Sequence, residues 1–131
     1  MPEPLVFISH FRVKEGASDA VREMGRSATA RIEADKPGTA AMAAYLDDDA
    51  THLSIVHVFP SADAMDAHFV GSEQRSAAAY ELIVPAGWEI YGPASAAAIE
   101  TMRTEAAAAG VTLTVWPEPA GGFLREMGSS A

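Results

Sequence analysis

The chain contains no cysteine. Disulfide staples, thiolate nucleophiles and cysteine-based metal sites are excluded together. Basic residues are few: nine Lys and Arg stand against eighteen Asp and Glu, for a formal net charge of −9. They are scattered, so the clustered basic face that a nucleic acid or an anionic membrane surface requires is missing. No apolar run approaches the roughly 20 residues of a membrane-spanning helix. The opening stretch MPEPLVFISHFRV has no basic start, its apolar run is short, and a charge follows soon after. It reads as a strand rather than a secretion signal. G-x-S-x-G, G-x-G-x-x-G, a phosphate-binding loop and H-E-x-x-H are all lacking. The expectation is a soluble, cytoplasmic protein with no nucleic-acid or membrane partner and no native metal.

What is present suits one domain: 131 residues, of which 49% are apolar. Much of that apolar content is alanine, and a small domain with small side chains often needs a second copy to cover one face. Residues 5–13, LVFISHFRV, are rich in β-branched and aromatic types and read as a strand. Ser18 is placed to cap a helix whose Val21, Met24, Ala28 and Ile32 share one face. Lys36-Pro37-Gly38 stops that helix. Strands are expected over 39–46 and 51–59, joined by the acidic turn Asp47-Asp48-Asp49. Ser61 caps a short helix with Ala64, Met65, His68 and Phe69 on one side. Ser72 starts another short helix, which Pro85-Ala86-Gly87 should end. WEIYG over 88–92 is a fourth strand, a helix follows from Ser95 to Ala109 with Gly110 as its stop, and 111–116 is a fifth strand.

The order β-α-β-β-α(α)-β-α-β begins as the split βαβ, or ferredoxin-like, arrangement: an α+β fold with an antiparallel sheet and helices on one face. Residues 1–116 form this domain, and 117–131 an arm or tail. A sheet covered on one side only, with strands apolar on both, calls for a homodimer.

Pro37-Gly38-Thr39, an alternating strand to Tyr45, an acidic turn, and a strand running into FPSADAMDAHF resemble the antibiotic-biosynthesis-monooxygenase-like proteins of the dimeric α+β barrel superfamily. The piece most similar to that family is the helix with Ala64 followed four residues on by His68. The resemblance covers roughly residues 4–94. It implies a dimer closed into a barrel and a pocket in each subunit between sheet and helices. It also implies one of several activities: oxygenation of electron-rich aromatic molecules without cofactor, or haem degradation, while many members have no assigned activity. Where the family often has a glutamate on the third strand, this chain has His57. Where the haem-degrading branch has its iron-ligating histidine, about ten residues beyond the His68 position, it has Ala77-Ala78-Ala79. That departure argues against haem.

Side chains alternate along a strand, so His52 and His57 point to opposite faces and cannot hold one metal together. His52, beside the acidic turn, reads as solvated. His57 shares a face with Leu53, Ile55 and Phe59. It is either a structural histidine held by a partner or a pocket acid or base kept neutral by burial. His68 follows Ala64 on one helical stripe, and the small residue at 64 should leave it room to reach a cavity. Asp66, on a different helical face, cannot complete a metal site with the two histidines. His68 and His57 are the expected proton-transfer pair. Tyr45, His10, Trp88, Tyr91 and Phe69 are the candidate contacts for a small apolar or aromatic ligand, with core or interface packing as the alternative for each aromatic. A phenol and an imidazole in a dry pocket suit cofactor-free oxygenation of an aromatic or polyketide-like molecule, so no cofactor is expected. The competing expectation is a non-catalytic binding or structural dimer of the same fold.

Overall fold

Alternation over LVFISHFRV makes β1 (Leu5–Val13), in which Leu5, Phe7, Ser9 and Phe11 are buried and the residues between them are not. The computed structural model describes residues 4–125. β1 is central, pairing antiparallel with β3 (His52–Phe59) on one side and β4 (Ile83–Tyr91) on the other. β2 (Ala41–Leu46) pairs antiparallel with β3, and the tight turn between them is held by the Asp47 carboxylate accepting from the backbone N–H groups of Thr51 and His52. β5 (Leu113–Trp116) lies parallel to β4. The sheet order is β2-β3-β1-β4-β5, so the expected antiparallel ferredoxin-like sheet carries one parallel strand. The cause is topological: a strand reached through a crossover helix comes back pointing the same way.

The crossover is α4 (Ala96–Ala109), capped by Ser95 and stopped by Gly110 in the left-handed conformation. Its small buried stripe of Ala98, Met102 and Ala106 joins the core. α1 (Ser18–Asp35) buries Val21 and Ile32, and α2 (Ala62–Phe69) buries Met65 and His68. The short α3 (Ser72–Ala79) buries nothing fully. These helices cover the sheet face that carries Phe7, Phe11, Leu53, Phe59, Trp88 and Ile90. Each large side chain fully buried there stabilises the fold by roughly 1.5–3 kcal/mol.

Three local expectations need correction. Ser18 does not cap α1: the cap position is Ala17, which is buried in the core and whose methyl side chain has no oxygen to accept a capping bond. α3 is preceded by Gly71 at φ +82, not capped by Ser72. Pro85-Ala86-Gly87 does not terminate a helix but lies within β4, which starts at Ile83. The register there shifts between His10 and Phe11, whose partners are Gly87 and Pro85, leaving Ala86 as the extra residue of a bulge. A bulge tolerates a proline that a regular central strand would not.

Candidate active site

A cavity of about 760 Å³ lies between the covered sheet face and the helices. That volume falls in the range that takes a multi-ring ligand. Phe7, Phe11, Leu53, Met24, Phe69 and Trp88 supply apolar wall, and the two histidines stand at one end. Ala64 is not part of the lining. Its methyl is met by Gly38, where an added Cβ would sit 3.4 Å from it. The small residue at 64 thus makes room for the chain turn between α1 and β2, not for a ligand. That turn delivers Thr39, whose hydroxyl lies 2.8 Å from His68 Nδ1.

His57 and His68 come together edge to face, with ring centroids 4.8 Å apart. Phe59 packs against both, stacked on His57 and edge-on to His68. His57 Nδ1 lies 3.2 Å from the Phe7 carbonyl oxygen. A carbonyl only accepts, so Nδ1 carries the proton and Nε2 holds the lone pair. Thr39 can donate to or accept from His68, so that ring can present either function at Nε2. Neither Nε2 bonds a described residue, yet no buried side-chain nitrogen or oxygen among the described residues is sealed off without a partner. Both therefore open on the cavity. Burial pushes the His57 pKa down to about 4, with the Arg75 charge adding to it and the Phe7 carbonyl opposing it. Burial also takes His68 down to about 3, helped by His57, Arg75 and Lys36. Both rings are neutral at pH 7.

Of the remaining expected site residues, Phe69 and Trp88 line the same cavity. Phe69 meets Phe7 edge-on, and Trp88 meets Phe11 edge-on. His10, Tyr45 and Tyr91 do not join them: they lie on the opposite sheet face, because each is one position out of step with an inward-facing neighbour, Ser9, Ala44 and Ile90 respectively. There His10 bonds Ser54 and Glu89, and the Tyr91 hydroxyl donates to Glu89, which holds the Glu89 carboxyl below its ordinary range. Tyr45 is largely exposed. His52 bonds Asp47 at the surface, as expected. Asp66 accepts from the Ser95 hydroxyl at 2.7 Å, a structural link from α2 to α4. Among the described residues no group of three or more side chains could hold a metal ion.

Polar cavity residues that escaped the sequence reading include Ser9, Arg75, Tyr80 and Glu105. The Ser9 hydroxyl was legible, since Ser9 alternates with Phe7 and Phe11, and it faces the cavity without bonding a described residue. Arg75, Tyr80 and Glu105 carried no such signal. Burial raises the pKa of Tyr80, with Glu105 adding to it, and burial raises that of Glu105, with Glu73 adding to it.

No family model and no curated protein matches this chain. Solved structures do. MupZ from Pseudomonas fluorescens superposes with a TM-score of 0.70 at 15% identity, over 94% of this chain and 95% of that one. SnoaB from Streptomyces nogalater, a cofactor-independent oxygenase, gives 0.57 at 18% identity over 68% of this chain and 91% of its own. A candidate antibiotic biosynthesis monooxygenase from Bacteroides thetaiotaomicron gives 0.54 at 11% identity, over 62% and 80%. The chain has the antibiotic-biosynthesis-monooxygenase-like fold. At these identities the likeness is one of fold, and the antibiotic-biosynthesis-monooxygenase-like frame says nothing by itself about which side chains react. Among the described residues, no helix is long and apolar enough to cross a membrane.

Proposed function

We propose that the protein is a cofactor-independent monooxygenase that oxygenates a small aromatic or polyketide-like molecule in this cavity. The observation that carries the reading is a pair of uncharged imidazoles, 4.8 Å apart, at the end of an apolar, ring-lined cavity. At neutral pH both are in the proton-accepting form. His68 takes a proton from the substrate hydroxyl, and His57 beside it shares in the transfer. The substrate anion is itself the reductant: dioxygen adds to a ring carbon, and the hydroperoxide loses water to leave a carbonyl. One oxygen atom stays on the product and the other leaves as water. The low pKa values make each ring a weak base at rest, and an anion forming alongside strengthens it by stabilising the imidazolium. The oxygenase SnoaB, built on the same fold, supports the assignment. The reading includes a homodimer closed through the outer sheet face, where Val6, Ile8, Val56 and Val58 are only half-covered, and a cytoplasmic setting.

A second reading is a non-catalytic ligand-binding or structural dimer. It is favoured by the Phe7 carbonyl bond, which satisfies His57 as a core histidine is satisfied. Oxygen uptake with hydroquinones and phenols in metal-free buffer separates the two. The wild type is expected to consume oxygen, and His68→Ala to lose about a hundredfold or more of that rate. No uptake by the wild type establishes the second reading, and an undiminished rate in the variant removes His68 from the chemistry.

A further inference from the structure

The histidine end of the cavity holds two cations, Lys36 and Arg75, that form no ion pair among the described residues, although Asp35 and Glu105 also line the cavity. Lys36, at the end of α1, donates to the carbonyl oxygens of Ala67 at 2.9 Å and Val70 at 3.0 Å. Arg75, on α3, donates through Nη2 to the His68 carbonyl at 2.5 Å and through Nη1 to the Val70 carbonyl at 3.1 Å. The two side chains thus share one acceptor, which brings an ammonium and a guanidinium to within two hydrogen-bond lengths of each other. Both line the cavity. Among the described residues neither has a carboxylate within ion-pair distance, although the chain carries twice as many acids as bases.

The plain structural explanation is that both cations cap the C-terminal end of α2. It covers only part of the charge. A helix end presents about half an elementary negative charge, against two full positive ones. The surplus is felt inside the cavity, since both cations help to hold His68 neutral. Arg75 is also partly stripped of water, a burden that an ion-paired arginine would offset. Its two carbonyl bonds use two of five N–H donors and fix the plane of the group, leaving three donors for a ligand. Gly71, at φ +82, passes beneath it with no side chain; a Cβ there would touch Nη1 at 3.5 Å.

We infer that the cavity's natural ligand is a ring-bearing carboxylate, or an equivalent oxyanion, whose charged group is held by Arg75 with Lys36 beside it while its apolar body lies against the aromatic wall. The inference rests on the reading of the cavity as the substrate site, and is independent of the oxygen chemistry proposed for it.

The probes are 2-naphthoate and its uncharged counterpart 2-naphthamide, titrated calorimetrically into the full chain at neutral pH. The wild type is expected to bind the acid at least about tenfold more tightly than the amide. Arg75→Gln should erase that preference, and Arg75→Lys should keep part of it. Equal affinities in the wild type, no binding of the acid, or a preference that survives Arg75→Gln each overturn the inference. The acid–amide comparison on the wild type needs no variant, so a misfolded Arg75→Gln leaves the test intact. Oxygen uptake is read separately. Acid preference without turnover of any phenol keeps the anion site and removes the oxygenase, whereas turnover without acid preference does the reverse.

Discussion

At the scale of single residues, the histidine pair makes stability depend on pH in a defined direction. The unfolded chain protonates its imidazoles near pH 6.5, while the folded chain resists until about pH 4 at His57 and about pH 3 at His68. The stability linked to these rings is therefore whole above pH 6.5 and falls as pH drops from 6.5 toward 4. For His57 alone the shift corresponds to about 3 kcal/mol. Urea denaturation across that window should show the wild type weakening, and His57→Phe weakening less steeply by about 1.4 kcal/mol per pH unit. Parallel profiles would show that His57 is hydrated. His57 was legible because it alternates with Leu53, Ile55 and Phe59, a pattern that commits a polar ring to the core. Tyr45 obeys the same rule from the other side: it pairs with Ser54, and the parity that puts His57 inside puts Tyr45 out. Arg75 was not legible. Its role arises from carbonyls at the end of another helix, and no spacing rule connects the two.

At the scale of elements, caps and stops were readable where a side chain does the capping. Ser61 accepts from the Ala64 N–H and Ser95 from the Ala98 N–H, and both were expected. Ala17 replaces Ser18 because core packing outweighs a bond worth about 1 kcal/mol. The Pro85 bulge was hidden because proline and glycine together read as a turn, and only pairing with β1 shows that the strand continues through them. Ser95 has a second task, donating to Asp66. Ser95→Ala should therefore cost more than an ordinary cap, roughly 1–2 kcal/mol, since both bonds go at once. Asp66→Asn, which keeps an acceptor, should cost less than half of that. Thermal unfolding of the two variants checks the ranking, and equal losses would show that the cap alone matters.

At the scale of the molecule, one sheet face is roofed by helices and the other is not. Val6, Ile8, Val56 and Val58 lie half-covered around the His10, Ser54, Glu89 and Tyr91 network, with Tyr45 and Trp116 exposed beyond. Light scattering should give the wild type the mass of two chains, and Val56→Glu, which sets a charge among those valines, should give the mass of one. A wild type that runs as a single chain would sink the paired arrangement. Helix and strand order, and the resulting frame, could be read from periodicity together with caps, stops and turn residues. The parallel setting of β5 and the joining of the cavity from both ends of the chain could not, because they depend on long-range pairing.

The turn between α1 and β2 is fastened to α2 three times: by Lys36 on its last carbonyls, by Gly38 against Ala64, and by Thr39 on His68. The imidazole's hydroxyl companion is thus seated by two fastenings besides its own bond. A Cβ at position 38 would stand 3.4 Å from that of Ala64, so a bulkier residue there would press on all three fastenings, and through them on the proton placement at His68.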